Sequence, residues 1–111
     1  MLVLLGKKAS TDILKKVSED LDGYVKFVVD IQKEVMTAGG LRHFEGEQLL
    51  LSQGSQQNDL WGGGIDLQTE EIDYESMINI RPNQNNASRE VLNPALRTKI
   101  KQIVSTLLVE I

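Results

Sequence analysis

The longest β-type pattern in the chain is Tyr24-Val25-Lys26-Phe27-Val28-Val29-Asp30-Ile31-Gln32-Lys33-Glu34-Val35-Met36. Apolar and polar residues alternate along it at the two-residue period of a β-strand. Its first half is almost entirely apolar, which is typical of a central strand covered on both faces. We therefore predict one long strand here, ended by Gly39-Gly40, although Ile31 to Met36 is also compatible with a helical turn.

Helix signals lie on both sides of this strand. Ser10 is a residue type that caps helix N-termini, and Gly23 suits the position that ends a helix. Asn93 followed by Pro94 is the strongest start signal, because apolar residues at helical spacing come after it. A shorter helix is predicted at His43 to Gln53, with a hairpin strand as the alternative.

Three further strands are predicted at Met1 to Leu5, Leu60 to Leu67 and Tyr74 to Arg81, the last two as an antiparallel pair. This order of elements predicts an α+β fold of two layers, with helices packed on a mostly antiparallel sheet. Only the first two strands, linked through a helix, could be parallel. The length of 111 residues, with 41% apolar and 25% charged residues, predicts a single globular domain over residues 1–111.

The overall composition excludes several classes of function. A formal charge of -4 argues against nucleic-acid binding, because an acidic surface repels phosphate backbones. Cysteine is absent, which excludes disulfides and thiol catalysis and is compatible with a cytoplasmic setting. No apolar run reaches the roughly 20 residues that span a bilayer, so we expect no membrane association.

A polar segment near the end of the predicted sheet, Met77-Ile78-Asn79-Ile80-Arg81-Pro82-Asn83-Gln84-Asn85-Asn86, has the most distinctive side chains. On a strand, Asn79 and Arg81 would share one face with Glu75, and four consecutive amides follow. Amides both donate and accept hydrogen bonds, and Arg can hold an anionic group with two parallel ones. The predicted ligand site consists of Arg81, Asn79, Asn83, Gln84, Asn86, Trp61 and His43. The alternative is a solvated sheet face and a loop whose Asn side chains bond their own backbone.

Two other features are interpreted as structural. Gly62-Gly63-Gly64 matches no phosphate-binding loop and predicts a bulge or hairpin bend, and Trp61 before it is interpreted as a core or interface anchor. His43 is the only histidine, so neither a catalytic triad nor a multi-histidine metal site can form within one chain. We predict no metal and no cofactor.

Three blocks of sequence carry a family resemblance. They consist of Val28-Val29-Asp30, Met36, Gly39-Gly40 and His43; Leu49-Leu50-Leu51, Gly54-Ser55, Gln57 and Leu60-Trp61-Gly62; and Ser76 to Pro82 with Gln84, Asn86 and Ser88. The pattern resembles a family of small uncharacterised prokaryotic proteins, a domain-of-unknown-function family. The resemblance implies a small cytoplasmic protein of the same fold and no particular activity. Gly63 and Gly64 stand where it predicts larger residues.

Two functional hypotheses follow. The first is a non-enzymatic ligand-binding or protein-interaction module, expected as a homodimer, whose polar site takes a small anionic ligand. The second is a small hydrolase-like enzyme acting on an anionic or nucleotide-like substrate, with Asp59 or Glu75 as base, His43 as acid or base, and Arg81 as anion clamp. The second hypothesis requires these groups to converge in one pocket.

Overall fold

A computed structural model describes residues 1–111 as a five-stranded sheet with three α-helices. The strands are β1 (Leu2–Leu5), β2 (Tyr24–Asp30), β3 (Val35–Gly39), β4 (Leu60–Asp66) and β5 (Ile72–Asp73), and the helices are α1 (Thr11–Ser18), α2 (His43–Ser52) and α3 (Pro94–Leu107). The order in the sheet is β1-β3-β2-β4-β5, and all neighbours are antiparallel. The predicted α+β class is confirmed.

Helices cover both faces of this sheet, because β2 is apolar on both sides. Phe27 packs in a core cluster with Val17 of α1 and Ile100 of α3. Its neighbour Val28 points to the opposite face and packs against Leu50 of α2. The sheet therefore lies between α1 and α3 on one side and α2 on the other, whereas the sequence had suggested helices on one side only.

The strand predicted from Tyr24 to Met36 is in fact a hairpin of β2 and β3. Asp30 is fully buried at the turn, where Oδ1 accepts hydrogen bonds from the backbone N–H groups of Gln32 and Lys33, both at 2.9 Å. Its Oδ2 accepts the hydroxyl of Ser55 at 2.6 Å. An Asp side chain that bonds the backbone two residues on forms a turn, and the alternating pattern continues unchanged across it.

The segment Tyr74 to Arg81 is not a strand, so that prediction is wrong. It contains a 3-10 turn at Met77–Asn79, which the hydroxyl of Ser76 caps, and a second such turn follows at Pro82–Gln84. β4 pairs instead with the short β5. Local hydrogen bonds from a Ser side chain compete with strand pairing, and here they prevail.

The helix starts agree with their sequence signals. Ser10 accepts a hydrogen bond at the N-terminus of α1, and Asn93 does the same for α3 with Pro94 at its first turn. α1 ends at Ser18, earlier than predicted, and Gly23 with its positive φ lies in the turn that leads to β2. β1 and β2 run in the same direction but are separated by β3. No helix combines the length and apolar character needed to cross a membrane.

Replacing Asp30 with Ala should destabilise the protein strongly, because the turn loses two hydrogen bonds and Ser55 loses its buried acceptor. Hydrogen bonds to charged groups contribute more than neutral ones, so we expect a loss of about 3 kcal/mol in the free energy of unfolding, measured by urea denaturation. Ser55→Ala is the matched control and should cost less, since it removes only one of the three bonds. Equal stability of Asp30→Ala and the unmodified protein would contradict this role.

Candidate functional site

Asn79 is fully buried and is bonded entirely to backbone. Its Oδ1 accepts the N–H of Gly62 at 2.9 Å, and its Nδ2 donates to the Gly62 carbonyl at 2.9 Å. The same Nδ2 also contacts the carbonyl oxygens of Tyr74 at 3.2 Å and Arg89 at 3.0 Å. The side chain thus takes the place of a neighbouring strand beside Gly62 and fixes the loop around it.

Asn86 has a similar position within the loop. Its Nδ2 donates to the carbonyl oxygens of Asn79, Ser88 and Glu90 at 2.8, 3.0 and 2.9 Å. Its Oδ1 accepts the N–H of Leu92 at 2.9 Å. The two asparagines together tie residues 74–92 into a closed loop, and neither has an amide hydrogen free for another partner.

Arg81 lies over the ring of Trp61, with its guanidinium carbon 3.8 Å from the ring centroid. One terminal nitrogen donates to the carbonyl oxygen of Gln57 at 2.5 Å, and the other donates to that of Leu60. Only 9% of Arg81 is exposed, and this burial lowers the pKa of its guanidinium. The guanidinium therefore binds the backbone at the start of β4, whereas the sequence predicts that it binds an anionic ligand.

The two remaining amides of the predicted site differ in burial, since Gln84 is half-buried and Asn83 is exposed. Gln84 donates through Nε2 to the carbonyl oxygen of Asn58 at 3.0 Å, and Asn83 is exposed without a side-chain hydrogen bond. The polar run thus forms the loop around β4, in line with the structural alternative. Its role in ligand binding stays a prediction.

Asn79→Asp should destabilise the fold severely. The replacement has the same shape, but it puts a carboxylate oxygen against three carbonyl oxygens that now receive hydrogen bonds. An unsatisfied buried polar group costs about 1–3 kcal/mol and a charged one more, so we expect a loss above about 3 kcal/mol, measured by thermal and urea unfolding. Asn83→Asp adds the same charge at an exposed position and should change stability little. Similar stability of the two variants would contradict the proposed role of the Asn79 amide in holding the loop.

A polar cleft of about 370 Å³ opens on the α2 face of the sheet beside this loop. β2, the first residue of α2, β5 and the segments around residues 75–77 and 89 contribute to its walls. The lining residues are Tyr24, Lys26, His43, Asp73, Glu75, Ser76, Met77 and Arg89. We refer to this set as the polar cleft.

Glycines in β4 allow the side chains of the polar cleft to lie directly on the sheet. A Cβ at Gly62 would be 2.7 Å from the Cβ of Ser76, and one at Gly64 would be 1.8 Å from the hydroxyl oxygen of Tyr24. Both distances are shorter than van der Waals contact, so any other residue would displace Ser76 or Tyr24 from its present position. The predicted bulge or bend is wrong, because β4 pairs with β2 in regular register along its whole length.

His43 is fixed in the polar cleft by a backbone carbonyl. Its Nε2 lies 2.7 Å from the carbonyl oxygen of Gly63, which can only accept, so Nε2 carries the proton. Nδ1 then has a free lone pair. It makes no hydrogen bond within the chain and is not fully buried. Burial lowers the pKa of His43 from its ordinary 6.5, and the nearby Lys26 lowers it further. The neutral imidazole therefore presents an acceptor at neutral pH.

Charged groups surround this imidazole. The Tyr24 hydroxyl donates to Oδ2 of Asp73 at 2.5 Å, and burial, followed by Asp73 itself, raises the pKa of Tyr24. The side chains of Lys26, Arg89 and Glu75 form neither hydrogen bonds nor ion pairs. The polar cleft thus combines a neutral acceptor, a fixed carboxylate and three charged groups that are free to bind.

The residues proposed for catalysis converge only in part. His43 and Glu75 both line the polar cleft. Asp59 directly precedes β4, and the guanidinium of Arg81 binds the backbone there. Neither residue lines the polar cleft. Sequence reasoning missed Tyr24 and five other lining residues as site residues: Lys26, Asp73, Ser76, Met77 and Arg89. The polar positions of β2 and the glycine run were the available signals.

Fold and site together define a small antiparallel α+β protein with an open, mixed-charge cleft beside a loop held by asparagines. The chain belongs to the family described as Protein of unknown function (DUF5674), whose model matches residues 3–107. This confirms the resemblance to a family of unknown function. Comparisons with curated proteins and with solved structures gave no match.

Proposed function

We propose that this protein is a ligand-binding module and that the polar cleft is its binding site. The observation that carries the proposal is His43, whose Nε2–H is held by the Gly63 carbonyl while its Nδ1 acceptor is free. A half-buried imidazole with one fixed and one free nitrogen is a preorganised hydrogen-bonding group, which reduces the entropic cost of binding. The cleft volume of about 370 Å³ is within the range of small-molecule sites.

The predicted anionic part of the ligand has partners in this cleft. Lys26 and Arg89 are both without an ion pair, and both line the polar cleft together with His43. They replace Arg81 as the proposed contacts for an anionic group, because the guanidinium of Arg81 already holds two carbonyl oxygens. Asn79, Asn86, Trp61 and Gln84 support the proposed site by holding the loop that carries Glu75 and Arg89, and Asn83 remains exposed beside it.

Because His43 is the only histidine, its imidazole signals in an NMR spectrum need no further assignment. Long-range proton–nitrogen correlation should show the proton on Nε2 at pH 7 and a pKa below 6.5. A folded-state pKa below the ordinary value means that the acceptor is present at neutral pH and is lost only as pH falls through the lowered value. Ligand affinity should therefore stay constant from pH 8 to 6.5 and fall at lower pH.

A screen of small polar compounds, followed through backbone amide signals, which a His43 variant retains, tests binding itself. His43→Gln keeps a donor for Gly63 but lacks the Nδ1 acceptor, so hits should bind about tenfold more weakly, the effect of one hydrogen bond. Gln48→Ala, on the exposed side of α2, is the control and should bind normally. A proton on Nδ1, or hits unaffected by His43→Gln, would reject the proposed role of this residue.

A hydrolase-like enzyme is the second candidate, and the shared position of His43 and Glu75 favours it. A neutral histidine with a free nitrogen can accept a proton from a bound water or hydroxyl group, and a nearby carboxylate can do the same. Mass spectrometry of bound compounds recovered from the binding experiment separates the two candidates. Unchanged compounds support a binding module, whereas conversion that requires His43 supports an enzyme.

For the predicted homodimer we propose the free edge of β1 as the contact surface. β1 pairs only with β3, and Leu4 on this edge strand is 40% exposed. Unpaired strand edges associate readily with a second copy. Light scattering should then give twice the chain mass of 12.4 kDa, and Leu4→Glu should give monomers. Leu92→Glu, at another exposed apolar residue, should stay dimeric; a monomeric unmodified protein at micromolar concentration would exclude the dimer. A cytoplasmic location and a prokaryotic source also stay predictions.

A further inference from the structure

The charges of the polar cleft balance one another without forming pairs. Two cations, Lys26 and Arg89, and two carboxylates, Asp73 and Glu75, line one cleft. All ion pairs of the chain lie elsewhere, and none of them involves these four residues. His43 adds no charge at neutral pH, because burial lowers its pKa. Opposite charges are therefore held near one another but not in contact.

The two carboxylates differ in how firmly they are placed. Asp73 is half-buried, with Oδ2 bonded to the Tyr24 hydroxyl at 2.5 Å and Oδ1 accepting the N–H of Glu75 at 3.1 Å. Glu75 itself is exposed, and its side chain makes no hydrogen bond. Asp73 thus gives a fixed negative position, and Glu75 gives a movable one close to it in the chain.

The two cationic residues belong to different parts of the fold. Lys26 belongs to β2, opposite Gly64 in the register of the sheet, and is therefore carried by the most central part of the fold. Arg89 lies on the loop whose backbone Asn79 holds, through the Arg89 carbonyl. The two positive groups thus reach one cleft from the sheet and from the loop.

We propose that the ligand of the polar cleft is a small zwitterion, a molecule with one anionic and one cationic group a few bonds apart. This inference rests on the proposed function. Lys26 and Arg89 bind the anionic group, Asp73 and Glu75 bind the cationic group, and Nδ1 of His43 accepts a hydrogen bond from a donor of the ligand. Each charge of the cleft then obtains a partner when the ligand displaces water.

Ligands with a single charge fit the cleft less well. An anion would gain Lys26 and Arg89 but would lie beside two carboxylates that repel it and gain no opposite charge. A cation would meet the reverse arrangement. A neutral molecule would remove water from all four groups and replace none of their charge interactions, which is costly. Charge complementarity with both groups thus selects the zwitterion through repulsion as well as attraction.

The test uses a series of amino acids with increasing distance between their charges: glycine, β-alanine, γ-aminobutyrate and ε-aminohexanoate. Singly charged and neutral relatives of γ-aminobutyrate, namely butyrate, butylamine and butyramide, are the controls. Binding to the unmodified protein is followed at pH 7 through the His43 imidazole signals. At least one member of the series should bind about tenfold more tightly than each control, as expected for loss of a charge contact.

Two variants assign the charges. Arg89→Gln should weaken binding of the zwitterion but leave butylamine unaffected, and Glu75→Gln should weaken the zwitterion but leave butyrate unaffected. Both residues are exposed, so their replacement leaves the fold intact. Equal or tighter binding of a singly charged or neutral control would overturn the inference and leave the binding module in place. If no compound of this panel or of the wider polar screen binds, both the inference and the proposed function fail.

Discussion

The amide of Asn79 completes the sheet at the place where pairing with β5 has ended. β5 pairs with β4 only at Gly64 and Ile65, so the backbone of Gly62 has no strand on that side, and the Asn79 side chain bonds both its N–H and its carbonyl. Because the same amide also holds the backbone at residues 74 and 89, one side chain joins β4 to both ends of the loop. The loop residues of the polar cleft are placed over the sheet through this contact.

The bare surface of β4 is the second requirement of the site. Glycine in a strand costs about 0.5–1 kcal/mol relative to alanine, and Gly62, Gly63 and Gly64 are consecutive. The cost is offset by contacts that a Cβ would prevent. Gly62 and Gly64 allow Ser76 and Tyr24 to lie on the α2 face, while Gly63 faces the ring of Phe27 in the main core and supplies the carbonyl that holds His43. The glycine run therefore serves packing on one face and the site on the other.

Elements with local signals could be predicted from the sequence, and elements made by distant contacts could not. Ser10 and Asn93 cap their helices through neighbouring N–H groups, so their positions were correct. The hairpin turn at Asp30 involves Ser55, and the loop at Asn79 involves Gly62; neither contact can be inferred from alternation of apolar and polar residues. For the site, the sequence identified His43 and Glu75 as candidates. It did not identify Lys26 and Tyr24, because they have the pattern of ordinary solvent-facing strand residues and nothing in the sequence shows that α2 brings His43 beside them.

Burial separates the polar groups of this chain into two kinds. Asp30 and Arg81 are buried charges that are held within the fold. Both oxygens of Asp30 accept hydrogen bonds, and both terminal nitrogens of Arg81 donate to backbone carbonyl oxygens, which leaves only its Nε without a partner. Lys26, Glu75 and Arg89 retain access to water and have no partner, so the fold does not need their charges for its stability. When a ligand replaces water at these charged groups, no internal ion pair has to break first. The free-energy cost of binding is therefore small. Both residues are arginines, but the terminal nitrogens of Arg81 already donate to backbone carbonyl oxygens, whereas the side chain of Arg89 has no partner. This is the physical reason for assigning Arg81 to the scaffold and Arg89 to the site.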